Sequence, residues 1–488
     1  MEKVSNRFAL WLTIGRVLSM LVVFVMPLIM TRVLSQSDYV VFSQYFTLYM
    51  ALNVIFALGF HSNLFYFYPT ADIKEKDEYV SNTFFFLLSM SAIAFLVLSL
   101  PAIKHLVFGD SRLGEYAVFV VISIILAIPM NIVSPLLTVR KDKWGAIIYP
   151  ALSASLRVGT VVLAAVFTNS LLAVFGSLVV YQFIILVWIV YYTFKNHRIK
   201  INVSKARKQI LYSIPFGLTV ALQMLSNYFD KILCIRYLDT VQYAIYGTAF
   251  FSIPGINQIY DSLCQVNIVN MTQCYQGGKL SQVRDLYKDF VVKTLSFSTP
   301  IILAVSLFAE EVICFLYPDE YIRSAPYFRI YSLTFLTAML GAGTILRAIG
   351  KTHFSLVSYL LSSIIGLPLT FFLIKEYSIN GAIIGAVINI ILPRLFQMCF
   401  EAKQTRSSII NYLAWQKIGY VFFIGVLLLS PLFLIKVCFH PSLVICIGLS
   451  GLYVLACYYL YLKKRVFLVS QETISNWFSS LRMKLNGN

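Results

Sequence analysis

Residues 171–209 read LLAVFGSLVVYQFIILVWIVYYTFKNHRIKINVSKARKQ, an uncharged run from Leu171 to Phe194 followed by six cations between Lys195 and Gln209. A run of that length exceeds the roughly 20 residues that cross a hydrocarbon core of about 30 Å. The cations behind it mark the cytoplasmic side, because Lys and Arg cross a bilayer reluctantly. A second apolar run starts at Ile210. The stretch therefore reads as a membrane span, a basic cytoplasmic connection and the start of a return span.

Outward from that stretch, the same alternation covers the chain. Spans are expected near 8–34, 40–68, 79–102, 115–138, 146–167 and 171–194. A second set follows near 210–235, 243–270, 290–316, 327–346, 353–374, 379–400, 412–435 and 442–462. Most of the 39 Lys and Arg residues occupy alternate connections, among them Arg140-Lys141-Asp142-Lys143 and Lys463-Lys464-Arg465. Connections of the other set, such as Ser35 to Tyr39, are short and poor in cations. The expected fold class is an all-α polytopic membrane protein of fourteen helices with both termini cytoplasmic.

Composition argues against a soluble protein: of 488 residues 59% are hydrophobic and 12% charged, with a mean hydropathy of +0.79. The net charge of +18 sits mainly in short cytoplasmic loops, where the insertion rule and anionic lipid headgroups account for it without nucleic acid. The first span carries Arg16 and Pro27 and lacks a small-residue cleavage site, so it reads as a retained helix. The eight cysteines form no CxxC pair and fall mostly inside spans, which suggests neither a metal site nor a disulfide framework. Asn202-Val203-Ser204 and Asn270-Met271-Thr272 match the glycosylation acceptor pattern but lie on the expected cytoplasmic side. Gly350-Lys351-Thr352 resembles the end of a phosphate-binding loop, yet Ile345 holds the place of its first glycine. No cofactor is expected.

The chain also resembles itself. Shifted by 204 residues, Arg32-Val33-Leu34 falls on Arg236-Tyr237-Leu238, Tyr39 on Tyr243 and Phe42 on Tyr246. At a shift of 209, Ala173-Val174-Phe175-Gly176 falls on Ala382-Ile383-Ile384-Gly385. Two sets of six spans enter the membrane from the same side, which makes them parallel repeats about an axis along the membrane normal. The expected division is an N-terminal lobe over 1–209, a C-terminal lobe over 210–411, and two further helices with a cytoplasmic tail over 412–488.

Three stretches carry a resemblance to a known family. They are Leu34-Ser35-Gln36-Ser37-Asp38-Tyr39, Ser213-Ile214-Pro215-Phe216-Gly217 leading to Asp230-Lys231, and Tyr377-Ser378-Ile379-Asn380-Gly381-Ala382-Ile383-Ile384-Gly385. In pattern and order they are similar to polysaccharide flippases of the Wzx type in the MOP exporter superfamily, which also includes MATE drug exporters and lipid II flippases. The match departs from the family at Val40, where glycine is common. The resemblance implies two six-helix lobes around a central cavity that opens alternately to either side.

Charged side chains inside spans cost on the order of 2.5–3.5 kcal/mol each on the lenient insertion scale, so they should face water or one another. Arg16 and Arg157 lie too deep to reach a headgroup easily. Their planar, permanently charged forks match phosphate oxygens, although satisfying broken backbone carbonyls or pairing with an acid are the structural alternatives. Gln223, Ser226, Asn227 and Asp230 form one polar stripe, and Asn257, Asp261 and Gln265 a second, at helical spacing. Such stripes line a hydrated cavity or hydrogen-bond between helices. Lys231 is expected to meet substrate or an acid, and Arg394 to face the cavity or snorkel. Asp230 and Asp261 are read as holding a coupling ion, Na+ or H+, or as locking the lobes together. His61, placed deep in the second span, is either a titrating group or a packed polar residue. Glu310, Glu311 and Arg323 read as solvated external rim charge or as an extracellular latch.

The resemblance, supported by these cations, implies translocation of an undecaprenyl-diphosphate-linked oligosaccharide across the bacterial inner membrane by alternating access. A polysaccharide polymerase and a chain-length regulator are the expected partners beside membrane lipids. Lipid II flippase and MATE-like exporter are the nearest alternatives. An integral-membrane glycosyltransferase or polymerase would need a larger external loop than the longest one here, near Ile103 to Gly114.

Overall fold

A computed structural model of the chain describes residues 2–108, 112–238, 240–251, 253, 255–317, 319–439, 443–464 and 466–467. Among them every regular element is helical. In chain order the helices are α1 (Glu2–Val33), α2 (Gln36–Ala57), α3 (Leu64–Phe67), α4 (Ile73–Ser99), α5 (Pro101–Phe108), α6 (Ala117–Met130), α7 (Val133–Val139), α8 (Lys143–Thr168) and α9 (Leu171–Asn196). They continue with α10 (Val203–Tyr237), α11 (Thr240–Ala249), α12 (Ile256–Gln276), α13 (Leu280–Leu307), α14 (Ala309–Leu316), α15 (Ala325–Ala338) and α16 (Thr344–Ala348). The last are α17 (Thr352–Gln404), α18 (Ile409–Tyr412), α19 (Trp415–Phe439) and α20 (Leu443–Lys463).

Nine helices among the described residues are long and apolar enough to cross a membrane, or ten if the pair Val41–Ala57 and Phe60–Phe67, bent by 47°, counts as one span. The chain is a multi-pass membrane protein. Several expected spans are broken, which explains why helix number and span number differ. The chain breaks after α2 at Leu58 and Gly59, both at positive φ, and between α15 and α16 at Gly341 and Gly343, again at positive φ. Conversely, α17 runs through both expected spans 353–374 and 379–400, interrupted at Ser378 (φ 53°, ψ −131°). The Ser378 hydroxyl donates to Gln242 Oε1 at 3.0 Å.

The chain divides into two compact units: the first holds Met1–Ala221, Ile268–Gln276 and Ala348–His353, the second Leu222–Asn267, Gly277–Arg347 and Phe354–Asn488. In the first unit α1 packs along α8, and α6 packs against α2, α4 and α9. Gly15 permits the first of these contacts, because a Cβ there would collide with the backbone carbonyl of Ala146. Small residues at such crossings let helices approach closely where no water drives their association. Tyr45 of α2 stacks on Phe175 of α9 at 4.3 Å and shares a hydrogen bond with Ser123 of α6. Two of the quoted motifs now have a local cause. Ser35 caps α2 by accepting the Asp38 N–H at 3.2 Å, and the Phe216 ring occupies the space that a side chain at Gly59 would need.

In the second unit α13 packs against α15, α19 and α20. The break between α15 and α16 exposes backbone groups that lipid could not satisfy, and the unit supplies partners for them. Thr294 donates to the Met339 carbonyl at 2.9 Å and Tyr287 to the Leu340 carbonyl at 2.6 Å. The N–H groups of Ile345 and Leu346 donate to Glu401 Oε1 at 2.7 and 3.3 Å, and Tyr412 donates to Glu401 Oε2. Glu401 is fully buried.

Candidate functional site

The first unit carries two of the expected cations on the packed pair α1 and α8. Arg16 donates from Nη2 to Ser134 Oγ of α7 at 3.4 Å. Arg157, one face along α8, sits within electrostatic reach of three phenols, Tyr49 of α2, Tyr149 of α8 and Tyr181 of α9. Gln182 of α9 stands beside Tyr49 and Ser153 of α8 beside Tyr181, and Tyr149 stacks on Trp188 at 5.2 Å. Asn131 Nδ2 donates to Asn53 Oδ1 at 3.0 Å nearby in the helix order, tying α2 to the α6 terminus.

Arg157 Nε is buried and makes no hydrogen bond. The spans 146–167 and 171–194 contain no Asp or Glu, so no carboxylate on either answers this charge. Tyrosine hydroxyls and a guanidinium with a donor to spare are groups chemically able to engage an anion with several oxygens, phosphate among them.

The second unit gathers the others into one aromatic-lined group. Asp230 on α10 is buried, 4% exposed, and accepts a hydrogen bond at Oδ2 from Tyr246 of α11. Its Oδ1 is buried without a hydrogen-bond partner. Lys231 points elsewhere, with Nζ 5.8 Å from the centre of the Phe250 ring, which agrees with the 100° that separates helix neighbours. Phe250 in turn contacts Tyr246 at 4.6 Å and Tyr331 at 4.5 Å. Tyr331 lies within electrostatic reach of both Asp230 and Arg394. Arg394 does not snorkel: its Nη1 donates to the Thr334 carbonyl at 3.3 Å and to Thr337 Oγ1.

The remaining expected residues spread over the helix surfaces. Gln223, Asn257 and Asp261 are exposed within the unit and Gln265 is half-buried, so the α12 stripe lies along one accessible edge. The side chain of Asn227 lies outside the described residues. His61 sits on a short 3-10 turn, Phe60–Asn63, after the Leu58–Gly59 break, and so is placed by a bend in the second span. Of the expected rim charges, Glu310 pairs with Arg329 at 3.3 Å and with Lys436 at 3.5 Å, and Glu311 with Lys436 at 2.9 Å. A cavity of about 470 Å³ between α13, α14 and α20 has an almost wholly apolar lining and includes neither Arg157 nor Arg394.

Reading the sequence missed Tyr49, Tyr149, Tyr181 and Gln182 around Arg157, and Tyr246 and Tyr331 around Asp230. Glu401 was also missed. The tyrosines carried no signal, being five among 31.

Comparison with known proteins bears on the same arrangement. The chain has the fold of a MOP superfamily transporter from Pyrococcus furiosus described as having a binding pocket of reversed polarity (14% identity, 83% of this chain and 96% of that one, TM-score 0.66). It is equally similar in fold to a MATE transporter in a bent conformation (14% identity, 83% and 95%, TM-score 0.67). An outward-facing multidrug-resistance MATE transporter is a third (14% identity, 82% and 96%, TM-score 0.65). No curated protein sequence matches the chain. Residues 7–265 match the family described as polysaccharide biosynthesis protein, more than half of the chain. With its MOP-type fold, the chain belongs to the polysaccharide biosynthesis protein family.

Proposed function

We propose that this protein is a flippase that carries an undecaprenyl-diphosphate-linked oligosaccharide across the bacterial inner membrane, with both chain termini in the cytoplasm. The observation that carries the reading is Arg157, whose buried Nε has no hydrogen-bond partner on spans free of carboxylates, in a chain of the polysaccharide biosynthesis family. The diphosphate would take the free donor of Arg157 and contact Arg16, while tyrosine faces and amide groups meet the sugars. The polyprenyl tail stays in lipid. No bond forms or breaks, so the protein acts as a transporter, and the substrate shifts its conformations only through unequal affinity for them.

In the second unit Lys231, Arg394, Gln223, Asn227, Asn257 and Gln265 would offer polar groups to the glycan. Asp230 and Asp261 would take the coupling ion, H+ or Na+, the orphan Oδ1 of Asp230 being the acceptor at hand. The transported repeat unit would pass to a polymerase acting with a chain-length regulator.

The test is binding of undecaprenyl diphosphate bearing a short glycan to the purified protein by native mass spectrometry. Arg157→Ala should weaken binding at least tenfold, about 1.4 kcal/mol, and undecaprenol without phosphate should not compete. Arg157→Lys should restore little, because an ammonium cannot present the same fork. Equal binding by wild type and Arg157→Ala would end the diphosphate reading.

A further inference from the structure

Between α9 and α10 the chain runs without helix from His197 to Asn202, yet it is held fast. Ser81 Oγ of α4 donates to the Arg198 carbonyl at 3.3 Å and accepts the Lys200 N–H at 3.1 Å. Asn82, the next residue, donates from Nδ2 to the Asn202 carbonyl at 3.0 Å and accepts the Asn202 N–H at 3.1 Å. Two consecutive side chains thus satisfy backbone groups as a neighbouring strand would. Asn202 adds a bond to Glu78 at 3.2 Å, and His197 Nδ1 meets Asp77 at 3.1 Å.

A segment pinned this firmly has a defined outer face, and that face is apolar. Ile199, Ile201 and Val203 are 61%, 63% and 79% exposed. Ile199 and Ile201 occupy alternate positions of the extended linker, which turns them to one side, and Val203 follows as the first residue of α10. Around them stand Arg198, Lys200, Arg207 and Lys208. The nearby carboxylates of Glu75 and Glu78 are taken by Lys205, at 2.9 and 2.7 Å, which leaves the surrounding charge positive.

The helices on either side fix the depth of this face. Along α4 the charged stretch Lys74 to Glu78 gives way at Phe84-Phe85-Phe86-Leu87-Leu88 to apolar sequence, and the linker crosses between them at Ser81 and Asn82. Along α9, whose Phe194 meets Phe84 of α4 at 5.2 Å, the next turn into the span carries Tyr191 and Tyr192, with Lys195 Nζ 5.3 Å from the Tyr191 ring and Arg140 5.1 Å from the Tyr192 ring. Aromatic rings paired with cations mark the headgroup level of a bilayer. Exposed aliphatic side chains among cations at that depth match the way interfacial segments dock on anionic leaflets.

We propose that residues 197–208 form a membrane-docking segment that binds anionic phospholipid headgroups through Arg198, Lys200, Arg207 and Lys208 and seats Ile199, Ile201 and Val203 among the first acyl carbons. The segment joins two spans, so a lipid held there bears on both. The Ser81 and Asn82 clasp is what keeps the apolar face turned outward.

The full-length protein, purified and stripped of lipid, is titrated with dioleoyl phosphatidylglycerol and with dioleoyl phosphatidylcholine and read by native mass spectrometry. Substituting Arg198, Lys200, Arg207 and Lys208 by Gln should weaken phosphatidylglycerol binding at least tenfold and leave phosphatidylcholine unchanged. Substituting the exposed Lys279, Lys403, Lys417 and Lys464 by Gln removes the same charge elsewhere and should have little effect. The Ser81→Ala, Asn82→Ala pair removes no charge and should also weaken phosphatidylglycerol binding, several-fold. Equal losses in the two four-residue variants would reduce the effect to net charge and overturn the proposal. So would phosphatidylglycerol binding that survives in the linker variant while a co-purifying protein is lost from it, since the face would then belong to a protein partner.

Discussion

Tyr246 donates its hydroxyl hydrogen to Asp230 Oδ2 and leaves Oδ1 buried with no partner. A carboxylate in that state has one committed oxygen and one that a proton or a cation can take without disturbing the first. Asp230→Asn retains an acceptor for Tyr246 and removes the charge. The expected outcome is a folded protein whose transport, followed with a fluorescent lipid-linked glycan in proteoliposomes, no longer responds to a proton or sodium gradient. An Asp230→Asn protein with the wild-type response would relegate Asp230 to holding α10 against α11.

Close approach of α1 and α8 rests on the absence of a side chain at Gly15, where a Cβ would strike the Ala146 carbonyl. Backbone cannot yield as a flexible side chain can. Gly15→Leu should therefore separate the helices and cost on the order of 1–3 kcal/mol, the usual penalty of overpacking. Because Arg16 and Arg157 ride on this pair, diphosphate binding should fall together with the melting temperature. A Gly15→Leu protein as stable as wild type would show that the two helices slide freely.

The long apolar helices were legible because each is an apolar run closed by cations or polar turns, as Leu171 to Gln209 illustrates. Arg157 was legible for a related reason: one charge in an apolar run stands out. Its tyrosine neighbours did not, since Tyr49 and Tyr181 lie more than a hundred residues apart and only packing of α2, α8 and α9 joins them to it. The bend at Leu58 was hidden as well, because a leucine at φ 47° has no sequence mark beyond the glycine that follows. Glu401, two residues before Lys403 at the end of an apolar run, carries no sequence mark of its role, and only the broken helix that it serves reveals it.

His197 lies outside the spans, 7% exposed, with its two ring nitrogens toward Asp77 and Tyr68. Burial outweighs the carboxylate and pulls its pKa below the ordinary value of 6.5. The unfolded chain therefore binds the proton more readily than the native protein does. Above pH 6.5 the histidine is neutral in both states and costs nothing; as pH falls below that value, stability is lost until the native imidazole also charges. Melting temperature in detergent should drop more between pH 7 and pH 5 for wild type than for His197→Gln. Parallel curves would refute the assignment.

Glu401 stands in for a missing turn of helix. Span 327–346 breaks at Gly341 and Gly343, and Glu401 takes up the N–H groups of Ile345 and Leu346 and the hydroxyl of Tyr412. Removing a buried acceptor leaves each donor to bear its own desolvation, about 1–3 kcal/mol apiece. Three donors lose their partner in Glu401→Ala, so the variant should lose several kcal/mol and be recovered poorly from membranes. Glu401→Gln keeps the carbonyl that faces the two backbone N–H groups but turns an amide N–H2 toward Tyr412, which can still accept. It should retain most of the stability. Unfolding of both variants is followed by Cys264 labelling, since that thiol is buried in α12 beside Thr344 and becomes reactive when the broken span comes loose. Fast labelling of Glu401→Ala with slow labelling of Glu401→Gln is the expected pattern, and slow labelling of both would mean that the break needs no carboxylate.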